Sequence, residues 1–183
     1  VPFYNPKKIE TLLSSEQIAE RVAALGAQIT RDYADKDSLV LIAVLKGSFV
    51  FLADLVRAID LPCTVDFLGL SSYGSSLETS GVVRVTQDLT QPVKGKHVLV
   101  VEDIVDTGLT MKYLLDNLAT RMPASIGVAS LLHKPARSRV NVPIDYIGFE
   151  IPDAFVVGYG LDYDGKLRNL PFIGVNVGDG PPI

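Results

Sequence analysis

Seven consecutive aliphatic residues, Leu39-Val-Leu-Ile-Ala-Val-Leu45, stand in the first third of the chain with no polar residue among them. The run is far below the roughly 20 residues a membrane helix needs, and it lacks the polar alternation of a strand with one wet face. It fits a strand covered on both sides, the kind found in parallel sheets flanked by helices. Lys46-Gly47-Ser48 closes it, and residues 49–59 follow with apolar positions at Phe49, Leu52, Leu55, Val56 and Ile59, reading as strand, turn and helix.

The same alternation continues along the chain. Ahead of this run, Ser14 has Gln17 three residues on and Leu13 in front of Ile18, so a capping box and a hydrophobic staple coincide. Ile18, Val22, Leu25 and Ile29 carry that helix to about Tyr33. Residues 63–70 read as a strand, residues 92–96 as a turn, and His97-Val-Leu-Val-Val101 as a buried strand running into Glu102 and Asp103. Residues 110–118 show helical spacing at Met111, Leu114, Leu115 and Leu118, and residues 125–132 read as a further strand. Short apolar segments at 146–150, 155–157 and 173–177 finish the chain. Strands alternating with helices predict an α/β domain with a mostly parallel central sheet flanked by helices. With 183 residues, no repeat and no linker, one domain over 1–183 is expected.

One polar stretch, Ser71-Ser-Tyr-Gly-Ser-Ser-Leu-Glu-Thr-Ser-Gly81, cannot pack as core and reads as a mobile loop, about 71–85 with its flanks. Residues 82–87 carry the pattern of a short strand. Hydrophobic residues at 48% and charged ones at 21% exclude disorder, collagen and coiled coil. A net charge of -4 disfavours a nucleic-acid partner. Cys63 is a single cysteine and cannot form an internal disulfide, so a reduced, cytoplasmic setting is expected, with no membrane association and no signal-peptide pattern at Val1-Pro2-Phe3-Tyr4.

The chemistry is concentrated in Val100-Val-Glu102-Asp103-Ile104-Val105-Asp106-Thr107-Gly108-Leu109-Thr110, where a buried strand gives way to a helix. Ligands of open α/β sheets bind at such ends. Backbone N–H groups near Thr107 to Thr110, two hydroxyls and a glycine can cradle a phosphate at a helix N-terminus. No lysine follows the glycine, so the nucleotide P-loop pattern is not met and one phosphate fits better than three. Three carboxylates, Glu102, Asp103 and Asp106, would repel an anion unless hydroxyls or a divalent cation intervene; a sugar phosphate with Mg2+ resolves the conflict. Ordinary acidic capping of a helix remains the other reading of the spacing.

Residues 100–110 closely resemble the phosphoribosyl-diphosphate (PRPP) binding motif of the phosphoribosyltransferases: several aliphatics, two acids, two aliphatics, Asp-Thr-Gly, one residue and Thr. Leu45-Lys46-Gly47-Ser48, the Ser72-Tyr73 pair, Ala129-Ser-Leu-Leu-His-Lys134, Gly148-Phe-Glu-Ile-Pro-Asp153, and Phe155-Val-Val-Gly-Tyr-Gly-Leu-Asp162 with Arg168 resemble the hypoxanthine-guanine branch in order and spacing. The resemblance implies the type I phosphoribosyltransferase fold, with a small hood subdomain from the N-terminal segment and about 150–177.

The resemblance also implies roles. Asp106, Thr107, Gly108, Leu109 and Thr110 hold the 5-phosphate, and Asp106 serves as base near N7 of the purine. Glu102 and Asp103 position the ribose hydroxyls, directly or through Mg2+, and Asp162 joins a metal shell. Lys46, Gly47, Ser72, Tyr73 and Arg168 meet pyrophosphate, with a cis peptide between Leu45 and Lys46. Lys134 reads O6 of a 6-oxopurine, Phe155 stacks on the base, the Val156 backbone bonds its edge, and Ile104 lies on the opposite face. The catalytic set is Asp106, Lys134 and Arg168, the substrates are PRPP and hypoxanthine or guanine, and the assembly is a homodimer or homotetramer. Gly165 and Lys166 depart from the aromatic pair that the family often carries there.

Two other readings are a xanthine-accepting transferase and a PRPP-sensing regulatory protein that binds nucleic acid. Hydrolase and dinucleotide readings lack their motifs: there is no Gly-x-Ser-x-Gly, His97 and His133 are not spaced as ligands, and Gly158-Tyr-Gly160 completes no fingerprint.

Overall fold

The computed structural model describes residues 4, 5, 7–72 and 83–177. Its elements run β1 (Ile9–Leu13), α1 (Ser15–Asp32), β2 (Leu39–Leu45), α2 (Phe49–Ala58), β3 (Cys63–Ser72), β4 (Val83–Gln87), β5 (His97–Val105), α3 (Leu109–Ala119), β6 (Ser125–His133), a short helical turn Pro135–Arg137, β7 (Tyr146–Glu150), β8 (Val156–Val157) and β9 (Ile173–Asn176).

Six strands form the main sheet in the order β4-β3-β2-β5-β6-β7. Every pair in it is parallel except β3 with β4, which is antiparallel at one edge. The aliphatic run is β2, and its residues are buried nearly throughout. Leu39, Leu41 and Ala43 face the core beneath α1 and α2, while Val40, Ile42 and Val44 face α3 through Met111, Leu114 and Leu118. Side chains alternate across a strand, so helices on both faces demand apolar residues at every position.

The capping box at α1 forms as its sequence implies: Gln17 N–H donates to Ser14 Oγ at 3.3 Å and Ser14 N–H donates to Gln17 Oε1 at 2.9 Å. Ile18, Val22, Leu25 and Ile29 are all buried. Arg21, on the same helix, donates to the carbonyls of Gly148 at 2.8 Å and Ile147 at 2.6 Å, tying α1 to the edge strand β7. On α2 the buried residues are Phe51, Leu52 and Leu55, whereas Phe49 is 45% exposed and does not join the core. Phe49 opens the first turn of α2 and lines a surface depression with Leu45 and Phe67.

A second, antiparallel sheet, ordered β1-β9-β8, assembles from both ends of the chain. This is the hood. Leu13, Val156 and Ile173 join its inner face to the main core, and the Tyr159 hydroxyl donates to Asp54 Oδ2 on α2 at 2.5 Å. Burial, and then that hydrogen bond, push the Tyr159 hydroxyl well above the ordinary tyrosine range.

Three sequence boundaries need correction. β1 is absent from the sequence reading because Ile-Glu-Thr-Leu-Leu is short and its partner β9 lies at the other end of the chain. β3 continues through Ser72, and Ser71 and Ser72 pair with Arg84 and Val83, so the loop is narrower than 71–85. Backbone pairing at a sheet edge needs no apolar side chain. The rest of that loop, including Tyr73, lies outside the described residues. β5 runs to Val105, so Glu102 and Asp103 lie on the strand itself; pairing with β6 continues to Val105 opposite His133 and carries the acids with it.

Candidate active site

The chain leaves β2 toward β3 on one side, while β5 lies on the other side of β2. Connections diverge at that point and leave a crevice beyond the C-terminal ends of β2 and β5, where ligands of such sheets bind. The turn after β2 and the acidic end of β5 face each other across it. The peptide between Leu45 and Lys46 is cis. Gly47 packs directly on the Asp103 carboxylate, leaving no room for a β-carbon.

The two acids on β5 share a dry environment. Burial, with Asp103 adding to it, pushes the Glu102 carboxyl well above the ordinary range, and its Oε2 is buried with no hydrogen-bond partner among the described residues. Burial likewise pushes Asp103 up to about 6, against the N–H groups of Ile104 and Asp103 and the charge of Arg168; Asp162 pushes the same way as burial. The Ile104 N–H donates to Asp103 Oδ1 at 2.9 Å.

Beyond Asp106 the backbone turns into α3. Gly108 takes φ +82°, a conformation that side chains rarely adopt, and the first turn of α3 receives no side-chain cap. The opening N–H groups of the helix other than that of Leu109 are therefore available to an anion. Thr107 Oγ1 accepts from the Leu109 N–H at 3.4 Å. Glu102, Ile104, Asp106, Thr107, Gly108 and Thr110 line a cavity of about 110 Å³, completed by Val105 and Met111. The cradle thus shares one pocket with Glu102 and Asp106.

On the β6 side, the Lys134 N–H donates to the Val105 carbonyl at 3.0 Å, which sets Lys134 beside the cradle. Lys134 is only 7% exposed, and its Nζ lies 3.8 Å from Asp153 Oδ1. Phe155 is 54% exposed and meets Tyr163 edge to face, with ring centres 5.8 Å apart. Val156 is buried on β8 opposite Val175, and Ile104 is partly buried.

Arg168 closes the opposite wall. It donates to the Gly160 carbonyl at 2.6 Å and pairs with Asp162 Oδ1 at 2.8 Å, while Asp162 Oδ2 accepts from the Gly165 N–H at 2.7 Å. Gly160 in turn backs onto the Gly47 carbonyl, which brings this loop to the turn after β2. Lys46 is exposed and lines, with Arg168, Phe49 and Phe67, a depression of about 430 Å³. The Ser72 side chain is not described.

No group of three or more His, Cys, Asp or Glu among the described residues is placed to hold a metal. Mg2+ usually takes only one or two protein carboxylates and fills its shell with water and substrate phosphate, so Glu102, Asp103 and Asp162 suit it as contributors. The unpartnered Glu102 Oε2 and the Asp103 carboxylate against Gly47 fit such a hard cation.

Two residues that the sequence reading leaves without a role enter the site. Arg137 Nε lies 2.9 Å from Asp106 Oδ1, and Asp153 Oδ1 lies near both Arg137 and Lys134. Nothing local in Lys134-Pro-Ala-Arg137 marks that arginine, since its partner Asp106 lies just beyond the end of β5, well before it in the chain.

Comparison with known proteins agrees with this geometry. A family model described as phosphoribosyl transferase domain matches residues 8–164. The chain is 51% identical over 168 residues to the hypoxanthine phosphoribosyltransferase of Haemophilus influenzae, covering 91% of this chain and 94% of that one. It is 49% identical to the hypoxanthine-guanine phosphoribosyltransferase of Dictyostelium discoideum, covering 90% and 93%. The crystal structure of a hypoxanthine-guanine phosphoribosyltransferase from Bacillus anthracis with HEPES in its active site superposes with a TM-score of 0.88 at 48% identity, covering 93% of this chain and 99% of that one.

Proposed function

Because this chain belongs to the phosphoribosyltransferase family, in its hypoxanthine-guanine branch, we propose a specific division of labour among the residues of the crevice. The chain acts as a hypoxanthine/guanine phosphoribosyltransferase in purine salvage. It joins the base to the ribose 5-phosphate of PRPP and releases pyrophosphate, giving IMP or GMP.

The observation that carries the assignment is the shared pocket of Glu102, Asp106, Thr107, Gly108 and Thr110, with Lys134 hydrogen-bonded to its rim. Backbone N–H groups from Thr107 to Thr110 hold the 5-phosphate at the uncapped start of α3. Glu102 and Asp103 position the ribose hydroxyls. Lys46, Gly47 and Arg168 receive the pyrophosphate, joined by Ser72 and Tyr73. Glu102 and Asp103 would hold one Mg2+ against the ribose hydroxyls, and Asp162 would support a second, whose charge would offset that of the departing pyrophosphate.

Positive charge builds at the ribose C1 as the bond to pyrophosphate loosens. Asp106 stands near N7 of the purine, where it takes or holds the proton and its negative charge favours the cationic sugar. Lys134 donates to O6, an acceptor that adenine lacks. Phe155 stacks on the base, the Val156 backbone bonds its edge, and Ile104 covers the other face. The assembly this reading implies is a homodimer or homotetramer. The lone Cys63 suits a cytoplasmic setting.

The test offers hypoxanthine, guanine, xanthine and adenine separately with PRPP and Mg2+, and follows pyrophosphate and nucleotide. Product with hypoxanthine or guanine and none with adenine is expected. Turnover of adenine would remove Lys134 as the reader of O6.

A further inference from the structure

Arg137 and Asp153 have no part in these roles, yet both close around groups that do. Arg137 ends the short turn Pro135–Arg137, just beyond Lys134. Its Nε lies 2.9 Å from Asp106 Oδ1, and its Nη1 lies 3.5 Å from Asp153 Oδ1. The same Asp153 oxygen lies 3.8 Å from Lys134 Nζ. One carboxylate therefore gathers two cations, and one of these reaches the carboxylate assigned to the purine proton.

The contact with Asp106 is an ion pair without a hydrogen bond. Asp106 Oδ1 is buried, and no N–H or O–H among the described residues is directed at it. The buried oxygen is thus steadied by a neighbouring charge, while the rest of the Asp106 side chain, 37% exposed, is what remains accessible to a proton donor. The segment bearing Arg137 is pinned independently: the N–H groups of Arg139 and Val140 both donate to the Thr107 carbonyl, at 3.0 and 3.2 Å, and the Arg137 N–H donates to the Lys134 carbonyl at 3.1 Å. The guanidinium is presented to Asp106 by backbone bonds that do not require the ion pair.

We propose that Arg137 is a positioning residue for the transfer. Braced by Asp153, it sets the Asp106 carboxylate toward the purine, and through Asp153 it joins that carboxylate to the Lys134 ammonium that reads the base. The inference rests on the roles of Asp106 and Lys134 given above. Arginine suits the task because its extended planar cation sets its charge beside Asp106 while Nη1 donates to Asp153, two places that a compact ammonium cannot reach at once. The paired side chains of Arg137 and Asp106 are 44% and 37% exposed, so the pair contributes little to stability and its effect belongs to turnover.

The test measures kcat and KM for hypoxanthine and PRPP, with Mg2+, in the full chain and in R137Q, R137K, D153N, D106N and the double variant R137Q/D106N. R137Q is expected to lower kcat by about ten- to a hundredfold with the KM for PRPP within about threefold of the parent. R137K recovers part of the loss. In the D106N background R137Q costs less than about threefold more, because it acts through a carboxylate already removed. D153N lowers kcat and also raises the KM for the base. Parent-like kcat in R137Q beside a crippled D106N overturns the proposal alone. Equal losses from R137Q in both backgrounds also overturn it, since Arg137 then acts elsewhere. Parent-like D106N overturns the role of Asp106 and the proposal with it. Thermal melting checks each variant, and R137K with D153N carries the test should R137Q not fold.

Discussion

Gly47 rests on the carboxylate of Asp103 with no space between them for a side chain. The two residues are far apart in sequence and meet because β2 and β5 lie side by side in parallel register, Ala43 opposite Val101. The turn proposed for pyrophosphate and the carboxylate proposed for ribose and metal are thereby one structural unit. Gly47→Ala must displace Asp103, and kcat/KM is expected to fall by about a hundredfold or more. Circular dichroism checks that the fold is retained, and parent-like kinetics would show that Asp103 is not needed where it stands.

Asp106→Asn keeps the size of the side chain and removes its charge and its capacity to take a proton. Turnover should fall by about 10²- to 10⁴-fold, the usual worth of a positioned general base. PRPP affinity, measured calorimetrically with Mg2+, should stay within about threefold. A matching loss in PRPP affinity would instead place Asp106 in phosphate binding alone.

Lys134 is nearly buried and has Asp153 as its counter-charge. Lys134→Met leaves an apolar side chain of similar length with neither the charge nor an N–H donor. The KM for hypoxanthine and guanine should rise by about tenfold or more, because a site built to donate to an oxo group loses its donor. The KM for PRPP is the internal control and should change little.

The Asp103 carboxyl is held up to about 6, mainly by burial, so the folded protein binds that proton more tightly than the unfolded chain does. Its stabilising contribution is present below the ordinary carboxylate value and is lost as the pH rises through about 6. Glu102, raised for the same reason, acts in the same sense. Without Mg2+ or substrate, Asp103→Asn should melt about 3 °C or more above the parent at pH 7.5, and the gap should close toward pH 5. A gap that stays constant across that range would show that Asp103 does not titrate there.

Ser14→Ala removes the side-chain half of the capping box on α1. A loss of about 1 kcal/mol is expected, seen as a melting temperature lower by about 2–4 °C. Kinetic constants should not move, since α1 lies outside the crevice.

Residues 100–110 and the Lys46-Gly47 turn were legible because each is a continuous stretch whose chemistry is local: strand, acids, hydroxyls and helix start follow one another in order. The helix at Ser14 and the aliphatic run at Leu39–Leu45 were legible for a related reason, as capping and burial periodicity act over a few residues. β1 was not, because a five-residue strand acquires its identity from β9, and that pairing spans nearly the whole chain.

Strand order decided the remainder. Asp162 and Arg168 read in sequence as a solvated charged loop, yet both bear electrostatically on Asp103 once that loop folds back on the turn after β2. Arg137 lies in the turn just after β6 and meets Asp106 just beyond the end of β5. Periodicity and caps arise from interactions within a few residues, so the sequence alone determined the elements, their alternation and the phosphate cradle. Contacts between the ends of different strands depend on which strands become neighbours and in what register. The tertiary structure alone therefore decided that Gly47 meets Asp103 and that Arg137 meets Asp106.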